Sequence, residues 1–467
     1  MQTTAAPALI DERVATLRNS LRGEVVARGD PGYDQVRTVW NAAVDRHPAL
    51  FARCASAADV MTSLRFARES SLRVAVRGGG HNVAGTALCD DGLVIDLQPM
   101  RGIRVDSESR RLIAQPGLRL GDVDHATQAC GLAAVCGINS LTGLSGLTLG
   151  GGIGWQMRRH GLTIDHLVSA EVVTADSRLL TVSEAQHQDL FWAIRGGGGN
   201  FGIVTSFEFD LVELGPAVHG GLVVYAADDA PDVLRAYRDW AEHAPDTITT
   251  ILVMRLAPAL PWIPAARVGR PVLAIGALYA GAAADGEAAL APLSRFGQVI
   301  ASSIGTRPFV EHQAMLDASA PAGWRYYWKS HYLGGLDDAT IDVITGHAWQ
   351  FSSPQSYTLL AHMGGAVRRR TDEDSAFTGR DAEFAININC AATTVEACET
   401  DTAWVKRWHD ALAAHATGGV YVNFTTDVGA DQVLAAYGAV KLRRLAAVKA
   451  AYDPDNVLSV NQNITPA

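Results

Sequence analysis

The chain has 467 residues, 48% hydrophobic and 19% charged, with a net charge of −10. That length allows two or three domains with a sizeable core, and the acidic balance argues against a nucleic-acid or anionic-membrane partner. Six cysteines, at 54, 89, 130, 136, 390 and 398, are too scattered for a disulfide framework and form no C-x-x-C, so no structural zinc site or other metal is indicated and a reduced cytoplasm suits their usage.

The first residues, Met1 to Ala6, lack a basic stretch followed by an apolar one, so a secretory signal is not expected. Residues 1–50 read as a short helical entry and a turn at Asp30-Pro31-Gly32. From 48 to 76 the pattern is strand, helix, strand. Ser56 is placed as N-cap, with Val60, Leu64 and Ala67 on one helical face. The run Arg77-Gly78-Gly79-Gly80-His81-Asn82 follows, and Val83-Ala84-Gly85 keeps the backbone small beyond it. Residues 93–97 and 111–114 read as strands and 121–130 as a helix. A second cluster, 142–155, has six glycines in fourteen positions, which argues against a regular helix or strand there. A hairpin over 168–174 and 179–182 precedes a third cluster, Arg195-Gly196-Gly197-Gly198-Gly199-Asn200, which leads into a strand at 205–211.

Near residue 212 the character changes. Strand patterns at 221–226, 249–256, 271–280, 355–363 and 383–389 alternate with helical ones at 231–243, 284–296, 337–350 and 396–415. They predict a largely antiparallel sheet covered on one side by helices. One long helix is expected over 434–451, ending at the turn Asp453-Pro454-Asp455-Asn456. The longest apolar run, 272–284, is broken by Gly276 and Gly281 and is too short for a bilayer.

The first glycine run carries the clearest chemistry. Three consecutive glycines remove every Cβ from one surface, and their N–H groups can converge on a phosphate oxygen. Arg77 adds charge and His81 places one nucleophilic imidazole at the rim. The spacing is neither G-x-G-x-x-G nor G-x-x-x-x-G-K-[ST].

Three glycine clusters so spaced, with Tyr452-Asp453-Pro454-Asp455-Asn456 and Asn461-Gln462-Asn463-Ile464 near the end, resemble one family. It is the vanillyl-alcohol oxidase/p-cresol methylhydroxylase (PCMH) type of FAD enzyme, in its berberine bridge enzyme-like branch. The resemblance implies an α+β protein. A two-part PCMH-type FAD-binding domain, 1–212 and 418–467, would carry an inserted substrate domain, 213–417, of antiparallel sheet covered by helices. It implies that Arg77, Gly78, Gly79, Gly80, His81 and Asn82, with Gly85 beyond them, cradle the FAD diphosphate. His81 would bond covalently to the flavin 8α-methyl. Thr142, Gly143, Ser145, Gly146, Gly150, Gly151 and Gly154 would run along the isoalloxazine and ribityl chain. Ile203 would approach the adenine, and Asn461 and Asn463 would close over the flavin. Many relatives add a bond from a cysteine eleven residues before the later glycine triplet. Here that position is Asn139, and Cys136 lies three residues early, so no second link through Cys136 is expected.

The same resemblance supplies catalytic candidates, each with an ordinary alternative. Thr142 falls where relatives gate dioxygen; it is also an ordinary turn threonine. Tyr421, in Tyr421-Val422-Asn423-Phe424, is a candidate base if a nearby cation lowers its pKa; otherwise it is a surface strand tyrosine. His362 shares a strand face with Ser356, Thr358 and Leu360, as a second candidate base or a satisfied strand histidine. Asn387 and Asn389 share a face and either bind substrate hydroxyls or line a wet surface. The aromatic run 324–329 walls a pocket or packs a core. Arg368-Arg369-Arg370 beside 372–374 reads as a solvated charged loop. The expectation is an FAD-dependent oxidase acting on a small alcohol, a sugar hydroxyl or a secondary-metabolite carbinol, with dioxygen as acceptor. The alternatives are a flavin dehydrogenase with another acceptor and a non-catalytic flavin-binding module.

Overall fold

A computed structural model describes residues 7–371 and 373–467. The expectation for Met1 to Ala6 therefore lies outside the described residues, as does Asp372. Strands are numbered in chain order. β1 (Glu24–Ala27), β2 (Leu50–Arg53), β3 (Val74–Arg77) and β4 (Leu93–Asp96) form a sheet in the order β1-β2-β4-β3, parallel except for β1. The helix Ala57–Glu69 makes the crossover from β2 to β3. Its Ser56 hydroxyl caps the Asp59 N–H, and Val60, Leu64 and Ala67 are buried against the sheet. β5 (Ile103–Asp106) and β6 (Arg111–Ala114) join a second, antiparallel sheet with β8 (Leu167–Val173), β9 (Leu179–Ser183) and β10 (Ile203–Asp210), in the order β5-β6-β10-β8-β9. Between them in the chain, β7 (Leu132–Ala133) pairs with β11 (Val212–Glu213).

The third sheet is entirely antiparallel: β12 (Ala217–Ala226), β13 (Ile248–Leu256), β14 (Pro271–Tyr279), β15 (Val299–Ser302), β16 (Gly305–Pro308), β17 (Arg325–Leu333), β18 (Tyr357–His362) and β19 (Phe384–Ala392). Its order is β15-β12-β14-β13-β18-β19-β17, with β16 also on β12. Side-chain alternation gives it two distinct faces. Leu252, Met254, Leu360, Ile386 and Ile388 meet the helices Ala230–Ala241, Asp338–His347 and Val395–Leu412 in one core. The alternate residues, among them Val253, Tyr357, Leu359 and Asn387, face the first two sheets.

The C-terminal segment returns to the first half of the chain. Tyr437, Leu445 and Val448 pack with Leu190, Phe191 and Phe201, and Leu458 enters the core under β2–β4. The expected single helix over 434–451 is Ala430–Tyr452, broken where Gly438 adopts φ 66° and ψ 161°. A second correction concerns 142–155, where Leu144–Gly150 is helical despite its glycines. Burial of Leu144 and Thr148 outweighs the intrinsic cost of Gly146 and Gly150. The charged run is also tied down, because Arg368 pairs with Glu383 and Arg369 with Asp246.

Candidate active site

A deep cavity lies between the first two sheets and the inner face of the third. One wall is the loop leaving β3. Gly78, Gly79, Gly80, His81 and Asn82 all line it. Among the described residues, the main-chain amides of Gly79, Gly80, His81 and Asn82 donate to no acceptor. Gly80 is buried and its three neighbours half-buried; N–H groups so placed are ordinarily paired, so this row of free donors, beginning on bare glycine backbone, has the form of an anion cradle. Gly143 presses against it: a Cβ on Gly79 would come 2.5 Å from Gly143 Cα. Thr142, Gly143, Ser145 and Gly146 continue the wall, and Ile203 and, from the C-terminal tail, Asn461 line it as well.

His81 is held by aromatic stacking. Trp40 lies between the His81 ring (4.1 Å between centroids, 18° between planes) and Tyr326 of β17 (3.8 Å, 11°). Asn41 bonds both loops, donating to Val83 O and Tyr326 O and accepting from Tyr326 N–H. The glycine loop is thereby fastened to the third sheet. Burial lowers the His81 pKa to about 4, so the imidazole is neutral near neutral pH, and its Nε2 is buried without a partner.

Several expected site residues lie elsewhere. Arg77 does not reach the cavity; its guanidinium bonds the Asp96 carboxylate at 2.6 and 3.1 Å, bonds Val36 O and covers the Phe51 ring. It is a buried clamp between β3 and β4. Gly85 turns the chain at φ 73°, and a Cβ there would meet Val44 at 2.6 Å. Gly150, Gly151 and Gly154 also lie off the cavity, making room for Asn423, Phe377 and the Cys136 carbonyl respectively. Asn463 does not line the cavity, although its Oδ1 is buried without a partner. His362 is corrected outright as a base candidate. It shares the helix-covered face with Leu360, bonds Arg158 and Glu383, and stacks on Phe384. Asn389 is buried beneath the lining, donating to Asn387 O.

Tyr421 does line the cavity, at 2% exposure rather than on the surface. Its oxygen accepts from the Gly152 N–H and from Asn423 Nδ2, each at 2.9 Å. Burial raises its pKa, and these donors offset that only in part. The cation required to lower it is missing: no Asp, Glu, Lys or Arg lines this cavity among the described residues. Sequence reading missed Tyr357 and Leu359, which alternate with the face chosen around His362. It left Trp328 undecided; Trp328 lines the cavity while Tyr326 packs under Trp40. Gly198, Gly199 and Gln462, inside motifs already noted, also line it. Cys136 faces the core, where burial pushes its thiol pKa well up.

The cleft, with bare glycine backbone on one wall and an aromatic sheet face on another, has the form of a dinucleotide-binding site. Residues 48–183 match the FAD binding domain family model and 420–465 the berberine and berberine-like model. An uncharacterized FAD-linked oxidoreductase of Bacillus subtilis strain 168 is 32% identical over 460 residues, covering 96% of this chain and 98% of the relative. The (R)-6-hydroxynicotine oxidase of Paenarthrobacter nicotinovorans is 30% identical over 466 residues, covering 96% and 97%. The crystal structure of 6-hydroxy-D-nicotine oxidase from Arthrobacter nicotinovorans superposes with a TM-score of 0.85 at 28% identity, covering 96% and 99%. Glucooligosaccharide oxidase from Acremonium strictum, described with a 6-S-cysteinyl, 8α-N1-histidyl FAD, superposes at 0.86 and 24% identity, covering 97% and 99%. This chain belongs to the berberine bridge enzyme-like family of FAD-linked oxidoreductases and is an enzyme. The free amides, the glycine wall and the neutral imidazole fit FAD. Among the described residues no helix is long and apolar enough to cross a membrane, and no group of three or more His, Cys, Asp or Glu is placed to hold a metal.

Proposed function

We propose that this enzyme is an oxidase of a small alcohol, a sugar hydroxyl or a secondary-metabolite carbinol, with dioxygen as electron acceptor and hydrogen peroxide as product. Bound FAD supplies the hydride acceptor at N5 and, once reduced, the electrons that convert dioxygen to peroxide. The observation that carries the reading is His81 itself: a neutral, stacked imidazole beside four unpaired amides. His81 is the group assigned to covalent attachment at the flavin 8α carbon. A neutral ring keeps a lone pair for that bond, and the stack on Trp40 fixes its plane. Asn139, not a cysteine, lines the cavity near Thr142, and Cys136 points away from it, which supports attachment through His81 alone.

The FAD-binding part is assigned to 1–212 and 418–467, and the substrate part to 213–417. Gly79 to Asn82 hold the diphosphate through main-chain N–H groups. Thr142 leaves room for dioxygen. Tyr421 is assigned to the substrate hydroxyl. Two N–H groups occupy its oxygen, so its own O–H points to the substrate as a phenol at neutral pH. It takes up the substrate proton only in its ionised form. Asn387 binds substrate from the sheet. Six scattered cysteines with no disulfide between them support a cytoplasmic location.

Denaturing the purified yellow protein tests the attachment. Colour staying with the precipitate, and released by His81→Ala, is expected; free flavin from wild type refutes the link. Mixing substrate-reduced enzyme with air-saturated buffer tests the acceptor. Rapid reoxidation with stoichiometric peroxide is expected. Very slow reoxidation assigns the chain to the dehydrogenases, and failure of every alcohol to bleach the flavin leaves a binding module.

A further inference from the structure

We infer that the substrate is an uncharged, ring-bearing and mainly apolar alcohol rather than an oligosaccharide; this rests on the alcohol-oxidase reading above. The cavity contains no ionisable Asp, Glu, Lys or Arg side chain among the described residues. On the third-sheet platform, away from the amides assigned to the diphosphate, an ionised substrate group would therefore find no free counter-charge, because Arg255 is already bonded to Ser319 Oγ and covered by the Tyr357 ring, and burying it there carries a large desolvation cost. Carboxylates, phosphates and ammonium ions are disfavoured on that ground.

The platform itself is aromatic and aliphatic: Val253, Trp328, Tyr357 and Leu359 face the cavity from the third sheet, and Phe424 flanks them.

 The flat rings of Trp328 and Tyr357 offer stacking area to a planar substrate.

The free hydrogen-bonding groups on this platform are few. Asn387 is 1% exposed; its Nδ2 is committed to Lys329 O and Phe424 O, and its Oδ1 is buried without a partner. Trp328 Nε1 is likewise buried and unpaired. The Tyr357 hydroxyl donates to nothing among the described residues. Around them, Ser319 already accepts from Arg255, and Asn423 Nδ2 bonds Gly146 O, Leu147 O and the Tyr421 oxygen. One acceptor, one donor and one hydroxyl, together with the Tyr421 O–H assigned above, suit a molecule with a few polar atoms on an apolar frame. A chain of sugar rings carries more hydroxyls than this face can meet, and each one buried unpaired weakens binding.

The reaction on such a substrate balances as a two-electron oxidation. The carbinol C–H bond breaks and its hydrogen leaves as hydride, the O–H proton is released, and a C=O bond forms. The two electrons pass through FAD to dioxygen, which with two protons becomes hydrogen peroxide. Asn387 Oδ1 is assigned as the acceptor that anchors a hydroxyl of the substrate.

The test titrates FAD-loaded enzyme anaerobically with 1-(2-naphthyl)ethanol, its carboxylated counterpart 6-(1-hydroxyethyl)-2-naphthoate, and cellobiose. Binding is read as a shift of the flavin spectrum, and oxidation as its bleaching. The neutral naphthyl alcohol is expected to bind at least about 100-fold more tightly than either competitor. Asn387→Leu is expected to weaken its binding about 10-fold while flavin content stays at the wild-type level; Asn387→Gln, which keeps an acceptor, should recover part of the loss. Cellobiose or the carboxylate binding as tightly as the naphthyl alcohol overturns the inference, as does no spectral shift with the naphthyl alcohol or no effect of Asn387→Leu. Tight naphthyl binding without bleaching upholds the binding class and instead refutes the alcohol-oxidase reading.

Discussion

Gly79→Ala and Gly143→Ala test whether the anion cradle is shaped by close backbone packing. Gly143 sits at φ −71° and ψ 134°, a conformation open to any residue, and Gly79 has no positive φ. The cost of a methyl group at either position is therefore steric. A Cβ on Gly143 would lie 2.6 Å from Gly79 Cα and 2.7 Å from Gly79 N, where ordinary contact begins at 3.4 Å. The atoms in the way are backbone, so no side-chain rotation relieves the overlap. Overpacking of this kind costs about 1–3 kcal/mol, and the strand-to-loop segment carrying the free amides must shift to accommodate it. Each variant should lose several degrees in Tm and a measurable share of its bound flavin. Because the two glycines form one contact, the double variant should lose less than the sum of the singles, with a coupling of about 0.5–3 kcal/mol. Thermal unfolding by circular dichroism and flavin content by absorbance measure both effects. Gly146→Ala is the contrast: nothing lies within 4 Å of its Cβ position, inside a helix. It should hold or raise apoprotein stability while reducing flavin occupancy, since that open space is cavity. Wild-type Tm and flavin content in both Gly79→Ala and Gly143→Ala would refute the packing argument.

Three further outcomes follow from the buried polar groups. Arg77→Ala leaves the fully buried Asp96 carboxylate without its closest partner and should cost about 3–5 kcal/mol in denaturant unfolding; lost flavin affinity at unchanged stability would return Arg77 to the diphosphate. Tyr421→Phe should lower kcat about 10²–10⁴-fold. Because burial raises the Tyr421 pKa above its ordinary value of 10, wild-type kcat should rise with pH across the alkaline range and the variant's should not; a profile already flat from neutral pH removes Tyr421 as base. Asp124 is 1% exposed, and burial and then the charge of Asp317 push its carboxyl up to about 8. The native state therefore binds more protons than the unfolded chain between about pH 4 and 8, and the group's contribution falls as pH rises through that window. Asp124→Asn should leave stability near pH 4 little changed and flatten its decline toward pH 8, read from urea midpoints across pH; an unchanged pH dependence refutes this.

Much of the architecture was legible because the signals were local. Ser56 capping Asp59, the alternation of β13 and β18, and the crowded glycines before His81 each depend on near neighbours in the chain. The helix at Leu144–Gly150 was not legible, because its stability comes from packing rather than from residue preference. His362 shows the same limit differently. Period-two alternation grouped it correctly with Leu360, but which face would be covered by helices was settled by the Val395–Leu412 and Ala230–Ala241 layers.

The sequence by itself determined where backbone had to be bare: the glycine triplet before His81, and the small residues that let a second loop lie against it. Only the tertiary structure decided which side chains face the resulting space. Arg77 turned inward because Asp96, on the neighbouring strand, is its closest counter-charge, and Tyr357 entered the cavity because three sheets converge around one face. Local sequence constrains torsions and spacing, whereas burial and charge pairing join residues far apart in the chain, and these set the chemistry of the site.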